Sequence, residues 1–230
     1  VPIGGSAIGA ASQKLIEKAK ETAAELLESA VSDIEFGNGE FRIVGTDRVQ
    51  SFYAVAKAAA ADSGIAFDEK ETFTPEEATY PNGTHICELE IDEATGEIEL
   101  VDYSVVDDFG KVINPLLLEG QVHGGIAQGL GQALLESCEY ETESGQLLSA
   151  SFMDYTMPRA DDFPPIRFTR NEVPCKTNPL GIKGAGEAGA IGAPPAIINA
   201  IVNALSDHGV RHVDMPVTPS KLWGLMQNSN

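Results

Sequence analysis

His85-Ile86-Cys87-Glu88-Leu89-Glu90-Ile91 alternates apolar with polar residues, and so does the run from Glu97 to Val106. A period of two is the signature of a strand with one buried face. Asp92-Glu93-Ala94-Thr95-Gly96 lies between the two runs and carries its glycine at the turn, so the pair is expected to form a long hairpin. A helix should follow at Asn114-Pro115, because proline is well tolerated at the first helical position. It should run to about Glu136.

The same alternation of hairpin and helix continues in both directions. Upstream, Leu15, Ile16, Ala19, Ala23, Leu26, Leu27 and Ala30 recur at helical spacing within a helix expected over Ser6 to Ala30. Asp33 to Val44 reads as a hairpin in which Ile34 and Phe36 face Ile43 and Phe41 across Gly37-Asn38-Gly39. Ser51 is placed to cap a second helix through Ala61. Asp62 to Pro81 is polar and contains proline, as a loop or irregular strand would. Downstream, Cys138 to Leu148 resembles a further hairpin turned at Glu143-Ser144-Gly145. Ile166 to Asn171 reads as a strand, Lys176 to Ala190 as a Gly-rich loop, Ala196 to Ser206 as an apolar helix and Pro219 to Met226 as a terminal helix. The class is α+β, with helices packed on mixed, largely antiparallel sheets. One domain over 1–230 is expected, with sub-lobes at 1–80 and 81–230.

The chain has 230 residues and a formal net charge of −20. Phosphate binding needs clustered Lys and Arg, so a nucleic-acid binder of the usual kind is disfavoured, as is docking on an anionic membrane. No apolar run approaches the ~18 residues of a membrane span. Cys87, Cys138 and Cys175 are scattered and odd in number, without a CxxC pair, so neither an iron–sulfur site nor a zinc ribbon is encoded. Free thiols and the lack of a signal peptide point to a reducing, cytoplasmic compartment. The start at Val1 rather than Met is expected of a fragment, a processed product or a cloned domain.

Three features carry potential chemistry. The helix from Asn114 holds Gly120, Gly124, Gly125, Gly129 and Gly131, each costing ~1 kcal/mol in a helix interior relative to Ala. Either the bared backbone packs closely on a neighbouring element, or it lets a large planar or phosphorylated cofactor approach, with Gln121 and Gln128 offering amide hydrogen bonds. The loop Lys183-Gly184-Ala185-Gly186-Glu187-Ala188-Gly189 carries one acid among small residues. Glu187 is either a favourable charge at a helix N-terminus or a general base whose pKa is raised in a confined site. The loop lacks the GK[ST] of a P-loop and does not match GxGxxG after a strand. His208 and His212 stand four apart, but Gly209 intervenes and Val210 to Asp214 looks extended, so a zinc pair is disfavoured. His85 and His123 are single. Asp107-Asp108 and Asp161-Asp162 need no more than solvation or capping as an explanation. No GxSxG or Cys–His–acid pattern supports a hydrolase.

Asp107-Asp108-Phe109-Gly110-Lys111-Val112-Ile113-Asn114-Pro115 leads into Glu119-Gly120-Gln121-Val122-His123-Gly124-Gly125. Tyr155-Thr156-Met157-Pro158-Arg159-Ala160 and the Lys183 to Gly189 loop follow. In order and spacing these stretches resemble the C-terminal, molybdopterin-binding part of the molybdenum hydroxylase large subunit. That family includes xanthine dehydrogenase, aldehyde oxidase and the large chain of aerobic carbon monoxide dehydrogenase. The resemblance extends from Val1-Pro2-Ile3-Gly4-Gly5 to Thr218-Pro219. It implies a molybdopterin, in some members extended as a cytosine dinucleotide, presenting molybdenum with oxo, sulfido and hydroxide ligands. It implies that Glu187 takes the proton of the molybdenum-bound hydroxyl while hydride passes from substrate to sulfido, with water as the oxygen source. It assigns cofactor contacts to Gln121, Gly124, Gly125, Lys183, Gly184, Ala185 and Gly186.

A complete subunit of that family is several times longer. The resemblance therefore implies that this chain holds part of one cofactor site and is inactive alone. Its partners would be the remainder of the molybdenum subunit, the iron–sulfur and FAD-bearing subunits, and a small aldehyde, N-heterocycle or related substrate. An exposed apolar surface and self-association of the isolated chain are expected. The competing expectation is a cofactor-free structural or assembly domain whose Gly-rich stretches only pack against partner chains.

Overall fold

The structure is a computed structural model and describes residues 1–64 and 67–227. It divides into two compact units: residues 1–77 with 178–180, and residues 78–177 with 181–230.

The first unit begins with helix α1, Pro2–Leu27, longer at its start than the periodicity predicts. Strands β1, Ile34–Gly37, and β2, Glu40–Ile43, form the expected hairpin, with Ile34 opposite Ile43 and Phe36 opposite Phe41. Asn38 and Gly39 both take positive φ, 53° and 79°, which the tight Asn-Gly turn requires. A third strand, β3, Val49–Ser51, pairs with β2 and has too short a pattern to be read from sequence. Helix α2, Phe52–Ser63, starts where expected: the Ser51 hydroxyl accepts the Ala54 amide at 3.2 Å. Ala19, Ala23, Leu27, Phe41 and Val55 form the core, with Phe36 and Phe52 packed on it. The polar stretch after α2 is irregular, and residues 65–66 of it lie outside the described residues.

The second unit is built on the long hairpin of β4, Asn82–Ile91, and β5, Ile98–Asp108. A register shift at Glu88/Leu89 breaks the alternation, so the buried face of β5 passes from Leu100 to Tyr103, Val105 and Asp107. Strand β6, Ile166–Arg170, then pairs with β5 in parallel. Helix α3 spans Pro115–Leu130, and the Asn114 side chain caps it by accepting the Leu117 amide at 3.2 Å. A π-type turn over Gly131–Leu135 replaces the helical continuation expected up to Glu136. The hairpin expected over Cys138 to Leu148 reduces to one bridge, Tyr140 with Leu147.

Helix α4 spans Ala188–Ala204, beginning eight residues before the apolar helix expected from Ala196. Pro194 and Pro195 hide this in the sequence, since proline normally breaks a helix interior. Here buried Pro194 packs on α3: a Cβ on Gly129 would meet its ring at 2.8 Å. Helix α5, Pro219–Gln227, is the expected terminal helix. Val122, Ile126, Leu130, Ile197, Ile201, Leu205 and Leu222 fill the core with Tyr103 and Val105.

Candidate functional site

Two Gly-rich segments distant in sequence come together where α3 crosses α4. A Cβ on Gly189 would lie 2.5 Å from the Val122 carbonyl oxygen, and one on Gly125 would lie 3.0 Å from the Ala190 nitrogen. One on Gly129 would lie 2.7 Å from the Ala193 Cβ. Gly125 and Gly189 are therefore explained by helices packed backbone to backbone, and Gly129 by the Ala193 and Pro194 side chains of α4. Gly120, Gly124, Gly184 and Gly186 are different. A Cβ at any of them would meet nothing within 4 Å among the described residues. Of the five glycines of the α3 segment, close packing thus explains Gly125 and Gly129 and does not explain Gly120 and Gly124. Gly131 is accounted for by Glu136 and Pro158, which leave no room for a side chain.

Gln121 joins the two segments. Its carboxamide nitrogen donates to the Gly186 carbonyl at 3.1 Å. Glu187 follows at the N-cap position of α4, where its carbonyl accepts the Ile191 amide at 2.9 Å. Its carboxylate makes no capping hydrogen bond and is exposed. The confined surroundings expected for a raised pKa are not formed around it by the described residues. His123, one turn from Gly120, keeps its Nε2 buried with no hydrogen-bond partner among the described residues.

The loop before Glu187 is stitched to the end of β5. Lys183 donates its amide to the Phe109 carbonyl at 2.8 Å, and Lys111 donates to the Gly181 carbonyl at 2.8 Å. The close approach needs glycine on both sides: Gly110 and Gly181 have φ of 65° and 69°, and a Cβ on Gly110 would lie 2.2 Å from the Gly181 oxygen. The Lys183 ammonium meets the Asp108 carboxylate at 2.6 Å, with side chains only 12% and 8% exposed. Asp108 also accepts the amides of Gly110 at 2.7 Å and Val173 at 3.1 Å. Burial pushes the Asp108 pKa up, but the Lys183 hydrogen bond and the two amides outweigh it and hold the group below its ordinary value. Asp108 is thus far more than a solvated strand end. Its one sequence signal was the Asp-x-Gly spacing of an Asx-type turn. Ala185 is partly buried against the core.

Asp107 is also buried. Its Oδ1 lies 3.5 Å from His85 Nε2, while His85 Nδ1 meets the Tyr103 hydroxyl at 2.8 Å. A cavity of about 160 Å³ bounded by Gly83, His85, Asp107, Ala188 and Gly192 sits beside this group. His212 pairs with Asp214 at 2.9 Å, His208 lies on a short 3₁₀ turn, and among the described residues no three His, Cys, Asp or Glu side chains gather as a metal site. Cys138 is exposed, and Cys87 and Cys175 are partly buried. No helix among the described residues is long and apolar enough to cross a membrane.

A family model described as a molybdopterin cofactor-binding domain matches residues 1–164. The gamma subunit of the 6-hydroxypseudooxynicotine dehydrogenase complex of Paenarthrobacter nicotinovorans is 37% identical over 99% of this chain and 29% of its own length. The crystal structure of the Cu,Mo-CO dehydrogenase superposes with a TM-score of 0.89 at 30% identity, covering 98% of this chain and 29% of that one. Quinoline 2-oxidoreductase from Pseudomonas putida 86 gives 0.85 at 36% identity, covering 96% and 29%. The chain spans less than a third of the length of these relatives. The family model covers residues 1–164 and the relatives match nearly the whole chain, so the chain belongs to the molybdopterin cofactor-binding domain family of the molybdenum hydroxylases.

Proposed function

We propose that this chain supplies one wall of a molybdenum-cofactor site and the proton acceptor of a hydroxylase acting on a small aldehyde, N-heterocycle or related substrate. The observation that carries the reading is the Gln121–Gly186 hydrogen bond. It joins the two Gly-rich segments, and at their junction the Glu187 carboxylate has no hydrogen-bond partner among the described residues. The residues present fit a bulky pterin: Gly120, Gly124, Gly184 and Gly186 leave open backbone, and buried His123 Nε2 in the same segment has no partner among the described residues. Gln121, Gly124 and the Gly184–Gly186 backbone would hold the group, in its cytosine dinucleotide form or without the extension. The molybdenum–pterin, when bound, supplies the two-electron oxidation and the oxygen transfer.

Glu187 has the complementary task. Its carboxylate accepts the proton released as water-derived oxygen is delivered to an electron-poor carbon, and returns it to solvent. An exposed acid on this chain becomes confined only once the cofactor and the rest of the subunit cover it. The names of the relatives, which carry quinoline and a nicotine-derived compound, support the N-heterocycle class. Iron–sulfur and FAD groups on partner chains would remove the electrons in a cytoplasmic complex. In the enzyme assembled by co-expression with the remainder of the subunit, Glu187→Gln keeps the shape but not the basicity. Turnover should fall at least ~100-fold with molybdenum and pterin content unchanged. Unaltered turnover would remove Glu187 from the reaction.

A further inference from the structure

We propose that Asp108 is the positioning residue of the Glu187 loop, and that the Lys183 ammonium serves as its clamp and not as a cofactor contact. The proposal rests on the reading of Glu187 as proton acceptor, and it reassigns one residue of the cofactor wall. Lys183 and Asp108 are a buried pair at 2.6 Å. The second Asp108 oxygen is occupied by the Gly110 and Val173 amides, so the carboxylate is anchored in the β5 turn and in the segment after β6. For Lys183 to reach an anionic ligand it would have to abandon a buried carboxylate and leave that charge unpaired, the costliest change available at this site.

The clamp acts on Glu187 through a short lever. Three residues separate Lys183 from Glu187, and two of them are glycines. Glycine-rich chain holds no position by itself, so the loop depends on its anchors. The first is the Lys183–Asp108 pair with its flanking backbone bonds and the second is the Gly186 carbonyl on Gln121; between them the Gly184 amide donates to the Thr79 hydroxyl at 3.3 Å and Ala185 rests on the core. Glu187 lies immediately after the second anchor, at the start of α4. Releasing the first lets the loop move on the second as a hinge and displaces the carboxylate from its line to the substrate.

Amide hydrogen exchange on the 230-residue chain tests the clamp without any cofactor. Lys183→Met keeps the side-chain length and removes the donor. Asp108→Asn keeps an oxygen for the Gly110 and Val173 amides and loses the charge. Both should raise exchange over Ile182–Gly186 at least about tenfold, the size expected for losing a hydrogen bond to a charged group. Lys183→Arg should restore wild-type protection. In the assembled enzyme, both variants should lower kcat with KM and molybdenum content retained, and Lys183→Arg should recover kcat. Unchanged exchange in Lys183→Met and Asp108→Asn overturns the proposal. So does loss of cofactor in Lys183→Met while Asp108→Asn, its lysine still charged, keeps full loading and turnover. Failure of the Glu187 reading registers separately, as turnover in Glu187→Gln, and leaves the exchange result intact.

Discussion

Gly189 and Gly124 lie on facing segments and call for opposite responses to the same substitution. A methyl group on Gly189 would run into the backbone of α3, whereas one on Gly124 enters open space. Gly189→Ala should therefore destabilise the chain by about 1–3 kcal/mol through overpacking. Gly124→Ala should stabilise the cofactor-free chain by about 0.5–1 kcal/mol, because the helix gains the better helix former. Thermal denaturation of the two variants measures both. If Gly124 faces the pterin, its alanine variant should also lower pterin content in the assembled enzyme while raising the melting temperature of the isolated chain. Asp108 adds a pH dependence. Its folded pKa lies below the ordinary 3.8, so its stabilisation is complete above that value and lost as the pH falls through the folded pKa. Asp108→Asn lacks that contribution throughout. The gap in melting temperature between wild type and variant should be full near pH 6 and narrow toward about pH 3. An equal gap at both pH values would place the stabilisation elsewhere.

The elements show which signals survive folding and which depend on the tertiary context. Ser51 and Asn114 cap their helices, and each is a local event readable from the residues just after it. Asn114→Ala should cost about 1 kcal/mol in denaturant unfolding, with the α3 end fraying first. The β4–β5 hairpin was legible because its alternation and glycine turn are local; the ladder runs beyond the pattern, pairing Asn82 with Asp108 and Thr84 with Val106. The parallel partner of β6 was not legible, since a strand's periodicity fixes its face and not its neighbour. The early start of α4 was masked by Pro194 and Pro195, the first of which packs its ring against Gly129. At the site the same division holds. Gln121 and Glu187 stood out as polar groups among glycines, and the fold brings their segments together. Asp108 did not stand out. Its burial and its pairing with Lys183 arise only when residues 75 positions apart are brought together.

At the scale of the whole molecule, net charge and exposed apolar surface oppose one another. The chain carries −20. Yet Ile113, Leu116 and Leu117 at the start of α3 are 62–78% exposed, and Phe152 and Met153 are 82% and 92% exposed. Large side chains so open are costly to hydrate and mark a surface meant to be covered. In the family to which the chain belongs, the relatives supply more than twice as much additional chain. The isolated chain should therefore associate with itself, restrained by like-charge repulsion. Repulsion is long-ranged and screened by salt, with a Debye length of about 30 Å at 0.01 M and about 8 Å at 0.15 M; apolar contact is not screened. Sedimentation velocity should show mostly monomer at low ionic strength and a growing associated fraction as salt rises. Leu116→Glu combined with Leu117→Glu should keep the chain monomeric at both, since the change adds charge where apolar surface was open and leaves the Asn114 cap and the core of α3 untouched. Association that instead weakened with salt would identify charge pairing, and not this uncovered face, as what draws the copies together.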